Sequence, residues 1–240
     1  MNESSTHESL ADIAEGDLVQ RLLADQHWRS RLLGLHGIPK NARDYPEVLH
    51  DDLGRKGDID ILVVDPAQPQ FATCVQIKRI KVSARTFQNG KPNKLAEITK
   101  LHKQSNCLVE LGFWQVLSYA LVVVDSRKNN QGEYRYDGLT SGLRSKIDES
   151  LTANGLHQNA GFVRFDFVQP IDDFPLGAGT FSSRVLRSAT VQQQPASITA
   201  WVSGKISEHD AQPVDLGFDF PSPVRRRVAQ AGQGKSARTV

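Results

Sequence analysis

Three side chains in the stretch GDIDILVVDPAQPQFATCVQIKRIKV, from Gly57 to Val82, have types and spacing suited to chemistry on a phosphate. They are Asp60 in its first half, and Gln76 and Lys78 in its second. The first half alternates Asp58, Asp60 and Leu62 against Ile59, Ile61 and Val63, the period of a strand. The second alternates Cys74, Gln76, Lys78 and Ile80 against Thr73, Val75, Ile77 and Arg79. DPAQPQ lies between them, rich in Pro and Gln, so the two strands are expected to form a hairpin. Such a hairpin brings oxygen ligands and an ammonium to one point. Mg²⁺ takes oxygen ligands and keeps several waters, so a carboxylate, an amide or backbone oxygen and a substrate phosphate suffice to hold it. A lysine one alternation away can orient or deprotonate an attacking water and stabilise the charge that develops on phosphorus.

The elements that must position these groups can be read from periodicity. Leu10, Ile13, Leu18, Leu22, Leu32 and Leu33 fall at loose helical spacing between Ser9 and Leu35, with Gly34 and Gly37 as stops, so a long, broken helix comes first. DYPEVLHDD offers a short edge strand before the hairpin. Ile98, Leu101, Ser105, Leu108 and Leu111 then mark an amphipathic helix from about Leu95, closed by Gly112, with Gln104 on its inner stripe. FWQVLSYALVVVDS is Val-rich and alternating, a buried strand; a helix near Leu139 to Ala153 and the strand GFVRFDFVQ close the core. The expected fold is α/β, a mixed central sheet flanked by helices in the order α-β-β-β-α-β-α-β. The expected divisions are a core over residues 1–170, a less regular extension over 171–225 with short strands around SITAWVSGKI, and a basic, disordered tail over 226–240.

This order of elements, with Asp60 of GDID on one strand and Gln76-Ile77-Lys78 on the next, resembles the PD-(D/E)xK nuclease superfamily, whose core is restriction-endonuclease-like. The resemblance spans roughly Ser9 to Gln169, with Gln76 where the family has an acid. It implies a Mg²⁺-dependent nuclease, with Mn²⁺ as a substitute, that hydrolyses phosphodiester bonds, most simply a DNA endonuclease. Asp60, Gln76 and the backbone carbonyl of Ile77 would hold the metal, and Lys78 would position or activate water. The Gly-x-x-Asp pattern of related sequences favours Asp60 over Asp58. An acid on the first helix completes many such sites, and Glu15 is the candidate, with Glu8 and Asp12 close behind. QVLSY, from Gln115 to Tyr119, imitates a Gln-x-x-x-Tyr motif of some branches, but that motif belongs on a helix and this segment has strand character.

Family members serve in restriction, repair, recombination and defence against phage, so the resemblance also implies DNA as a partner and a second protein that supplies targeting. A neutral amide holds metal less strongly than a carboxylate. Gln76 therefore also sustains a second reading, a nuclease-fold subunit with little or no catalysis that binds nucleic acid or a partner protein. A third is an α/β interaction protein with no nucleic-acid role. Arg79, Lys81, Arg85, Arg55 and Lys56 are the candidates for phosphate contacts around the cleft.

Composition narrows the class further. Hydrophobic residues are 39% and charged residues 23% of 240, ordinary for a globular domain, and a net charge of +2 does not advertise nucleic acid. Positive charge gathers only locally, as in Arg225, Arg226, Arg227, Lys235 and Arg238 at the end of the sequence. Cys74 and Cys107 are too few for a disulfide framework and lack neighbours at zinc spacing, so both are expected to be core thiols. The polar N-terminus has no secretory apolar run and ALVVV, the longest apolar run, is strand-sized, so a cytoplasmic location without a membrane span is expected. No phosphate-binding Gly loop, Gly-x-Ser-x-Gly elbow or His-Glu-x-x-His is present, and the EHD of Glu208 to Asp210 is expected at the surface.

Overall fold

The computed structural model describes residues 13–34, 41–82, 92, 94–124, 139–168 and 180–211. Its centre is a six-stranded mixed sheet in the order β1 (Arg43–Leu49), β2 (Asp58–Val64), β3 (Thr73–Val82), β4 (Gln115–Val124), β5 (Gly161–Val168) and β6 (Thr180–Arg187). The pairs β1/β2, β2/β3 and β5/β6 are antiparallel, while β3/β4 and β4/β5 are parallel. Five α-helices cover it among the described residues: α1 (Glu15–Ala24), α2 (Gln26–Leu33), α3 (Ile98–Leu111), α4 (Ser141–Ser150) and α5 (Ala196–Ala211).

Alternation along the strands divides the apolar residues between two cores. Leu18, Leu22, Trp28 and Leu32 of α1 and α2 pack on Ile61, Val75, Ile77 and Tyr119 on one face. On the other face, Leu101 and Leu108 of α3, Ile147 of α4 and Val202 of α5 pack on Leu62, Cys74, Ile80 and Val122. β4, paired on both sides and covered on both faces, is buried throughout, which explains the near-continuous apolar run of that strand.

The expected first helix is two helices, because the Asp25 carboxylate accepts the backbone N–H groups of His27 and Trp28 and caps α2. The helix expected from about Leu95 begins with a single 3₁₀ turn, Leu95–Glu97, before α3. Gly112 ends α3 at φ +94°, the left-handed conformation in which glycine meets no Cβ penalty. Asp65, expected in the hairpin turn, accepts the Ala67 N–H there.

Two expectations beyond residue 170 are corrected. SITAWVSGKI is helix, the body of α5, because Ile198, Val202 and Ile206 recur every fourth residue and bury one stripe in the core shared with α3. TFSSRVLR, hidden by its serines, is a sheet strand, with Phe181 packed on Trp28 and Phe165. The compact units of the chain are Met1–Ile206 and Ser207–Val240. The expected tail over 226–240 lies outside the described residues. Cys74 is a core thiol, but Cys107 is only half-buried. Glu208, His209 and Asp210 are exposed on α5, and no described helix is long and apolar enough to cross a membrane.

Candidate active site

The hairpin is zipped only near its turn. β2 and β3 pair from Val63↔Thr73 to Ile61↔Val75, and there the ladder stops. Continued, it would set Asp60 across from Gln76; the strands instead open into a fork whose backbone groups are taken up by side chains. Asp60 Oδ2 accepts the Ile77 N–H at 2.5 Å. Gln76 Nε2 donates to the Asp58 carbonyl at 2.6 Å. Glu15, the first residue of α1, accepts Lys78 Nζ on one oxygen and the Arg79 N–H on the other, each at 2.6 Å. The structure thus brings Asp60, Gln76, Lys78 and Glu15 together, while Glu8 and Asp12 lie outside the described residues.

Two oxygens at the fork suit a cation. Gln76 is 1% exposed, and its Oε1 has no hydrogen-bond partner among the described residues. A buried acceptor left open in this way costs about 1–3 kcal/mol, so its retention asks for a reason. In a strand the N–H and C=O of one residue point to the same edge, so the Ile77 carbonyl faces the fork together with the N–H that Asp60 holds.

Electrostatics at the fork set the charge states. Burial lifts the Asp60 carboxyl to about 7, and the charges of Asp58 and Glu15 add to the rise, against the Ile77 N–H and the Lys78 ammonium. Burial pulls the Lys78 ammonium toward neutrality, but its bond to Glu15, with the charges of Glu15, Glu97 and Asp60, outweighs this and raises its pKa. Glu97 Oε2 stands 3.7 Å from Lys78 Nζ.

Beside the fork lies a cavity of about 180 Å³ lined by Glu15, Gly16, Pro46, Glu47, Asp58 and Asp60, among others. Glu47 has φ +53°, rare for a residue with a side chain, and at its position the β1/β2 ladder skips the pair with Asp60. Its carboxylate passes over Gly16, where a Cβ would come within 2.5 Å of Oε1. Sequence reasoning missed Glu47; the only signal was an acid beside Pro46 on an edge strand. Among the described residues, no three Asp, Glu, His or Cys side chains converge to hold a metal by themselves. An ion at the fork would therefore need the amide and backbone oxygens.

The expected phosphate contacts fare differently. Arg79 is 2% exposed, and its Nη1 donates to the Ile13 carbonyl, so it is a buried tie rather than a surface cation. Its alternation with Lys78 turns it toward the core beneath α1. Arg55 is bound to Glu110 at 2.6 Å, which draws it over α3. Lys81 is half-buried, Lys56 is exposed, and Arg85 lies outside the described residues. The buried polar side chains of α3 are His102 and Ser105, whereas Gln104 is only half-buried. Gln115 and Tyr119 lie on strand β4, where Gln115 accepts from Thr73 Oγ1 and the Tyr119 hydroxyl donates to the Leu32 carbonyl, both structural bonds.

No family model matches the chain, and no curated protein matches it. Among solved structures, it is similar to the SPO1766 protein of unknown function from Silicibacter pomeroyi, at 12% identity and a TM-score of 0.38, over 93% of this chain and 97% of that one.

Proposed function

We propose that this protein is a divalent-metal-dependent nuclease of the PD-(D/E)xK kind, cutting phosphodiester bonds in DNA. The observation that carries the reading is the fork between β2 and β3, where the Asp60 carboxylate, the unpartnered Gln76 Oε1, the Ile77 carbonyl edge and the Lys78 ammonium meet. An element order of helix, three strands, helix, strand around that fork supports it.

The residues fit Mg²⁺ or Mn²⁺. The donors are hard oxygens, and one of them is buried with no partner among the described residues. Asp60, Gln76 Oε1 and the Ile77 carbonyl would hold the ion, which would supply charge neutralisation at the phosphate and a more acidic water. Lys78, kept cationic by Glu15, stabilises negative charge developing on the phosphoryl oxygens and orients water, rather than taking a proton from it. The cavity walls carry Glu15, Glu47 and Asp58, whose carboxylates repel phosphate, and Asp60 joins them once it loses its proton. DNA binding is accordingly expected with Ca²⁺ and not in EDTA, as measured by fluorescence anisotropy.

The engagement of Lys78 by Glu15 and Glu97, with a neutral amide at position 76, favours one other reading: a weakly active or inactive nuclease-fold subunit that binds nucleic acid or a partner protein. Cleavage of supercoiled plasmid and of a short linear duplex, with Mg²⁺ and with Mn²⁺, separates the two. Metal-dependent cutting that Lys78→Ala lowers by about 100-fold or more is the expected outcome. Salt-sensitive DNA binding with no cutting by the wild type would select the binding subunit.

A further inference from the structure

Among the described residues, Glu15 is the acid at the fork whose two oxygens are both engaged. Oε1 takes the Lys78 ammonium and Oε2 the Arg79 N–H, each at 2.6 Å, two hydrogen bonds to one carboxylate. Both partners are consecutive residues of β3, on the stretch that has left its ladder with β2. The same stretch is tied a second time, since the Arg79 guanidinium donates to the carbonyl of Ile13, two residues before Glu15. The first turn of α1 also favours an acid, because its free N–H groups make it a positive helix end. Glu15 is therefore built into the scaffold, whereas Gln76 Oε1 at the same fork has no partner among the described residues.

We propose that Glu15 is a positioning residue rather than a metal ligand. It fixes the Lys78 ammonium over the fork and closes the Arg79 N–H that the parted strand leaves open, while the ion falls to Asp60, Gln76 and the Ile77 carbonyl. The proposal rests on the nuclease reading for its catalytic consequence. Lysine has four rotatable bonds, and without the clamp its head samples many positions, so rate is lost through misplacement.

The test compares the wild type, Glu15→Gln, Glu15→Ala and, as a metal-ligand control, Asp60→Asn. In Glu15→Gln, kcat is expected to fall about 10- to 100-fold while the Mg²⁺ concentration for half-maximal cutting stays within about 2-fold. Restoration of cutting by excess Mg²⁺ would overturn the proposal, as would a loss of Mn²⁺ affinity by calorimetry as large as that of Asp60→Asn. Two readouts do not depend on cutting. The Arg79 amide is expected to be protected from hydrogen exchange in the wild type and to lose that protection in Glu15→Ala. Rapid exchange of that amide in the wild type also overturns the clamp. A wild type that binds Mn²⁺ but does not cut removes the nuclease reading alone, and the clamp is then decided by the calorimetry and the exchange.

Discussion

Asp60 holds its proton to about pH 7, whereas the unfolded chain would lose it near the ordinary aspartate value of 3.8. Between those values the folded state binds more protons than the unfolded one, so by linkage stability falls as pH rises through the window from about 4 to 7. Asp60→Asn keeps an acceptor for the Ile77 N–H and removes the buried charge. Its stability advantage over the wild type should be near zero at pH 4 and reach on the order of 3–4 kcal/mol at pH 8, measured by urea denaturation. An advantage that does not change with pH would mean that the carboxyl is solvated in the folded state. Gln76 gives the complementary test: Gln76→Glu turns the open amide oxygen into an anion and is expected to tighten Mn²⁺ binding in calorimetry, while unchanged affinity would remove residue 76 from the metal site.

Elements that pack through their own periodicity are legible in the sequence; those that depend on a neighbour are not. The hairpin, α3 with its Gly112 end, β4, α4 and β5 all announce themselves by alternation or by a stripe. β6 takes its place because β5 leaves an edge open, and α5 because a core face lies beneath Ile198, Val202 and Ile206; neither condition is local. The site divides in the same way. Asp60, Gln76, Lys78 and Glu15 were visible as types at a spacing, but Glu47 enters only through a backbone turned to φ +53°. Arg79 could have been placed correctly, since its parity with Val75 and Ile77 puts it on the core side of β3. The close of α3 offers a stability test at this scale. A Cβ on Gly112 would sit at φ +94° and 2.8 Å from Pro195 Cδ, so Gly112→Ala should cost about 1–3 kcal/mol in denaturant unfolding.

At the scale of the molecule, β6 and α5 as far as Ile206 belong to the same compact unit as the fork. A chain ended at residue 170 would lose Phe181 from the aromatic cluster of Trp28, Phe165 and Phe167, and Val202 from the opposite core. Such a chain is expected to bind a hydrophobic dye and melt without a sharp transition, whereas the full chain melts cooperatively in calorimetry. The two rims of the sheet also differ. β1 carries Pro46, which has no N–H to offer, followed by Glu47 with its backbone turned out of line. An incoming strand finds no continuous row of donors and acceptors there. Pairing at β1 is therefore disfavoured, and copies that join rim to rim through β6 are expected to close a dimer rather than extend into a fibre.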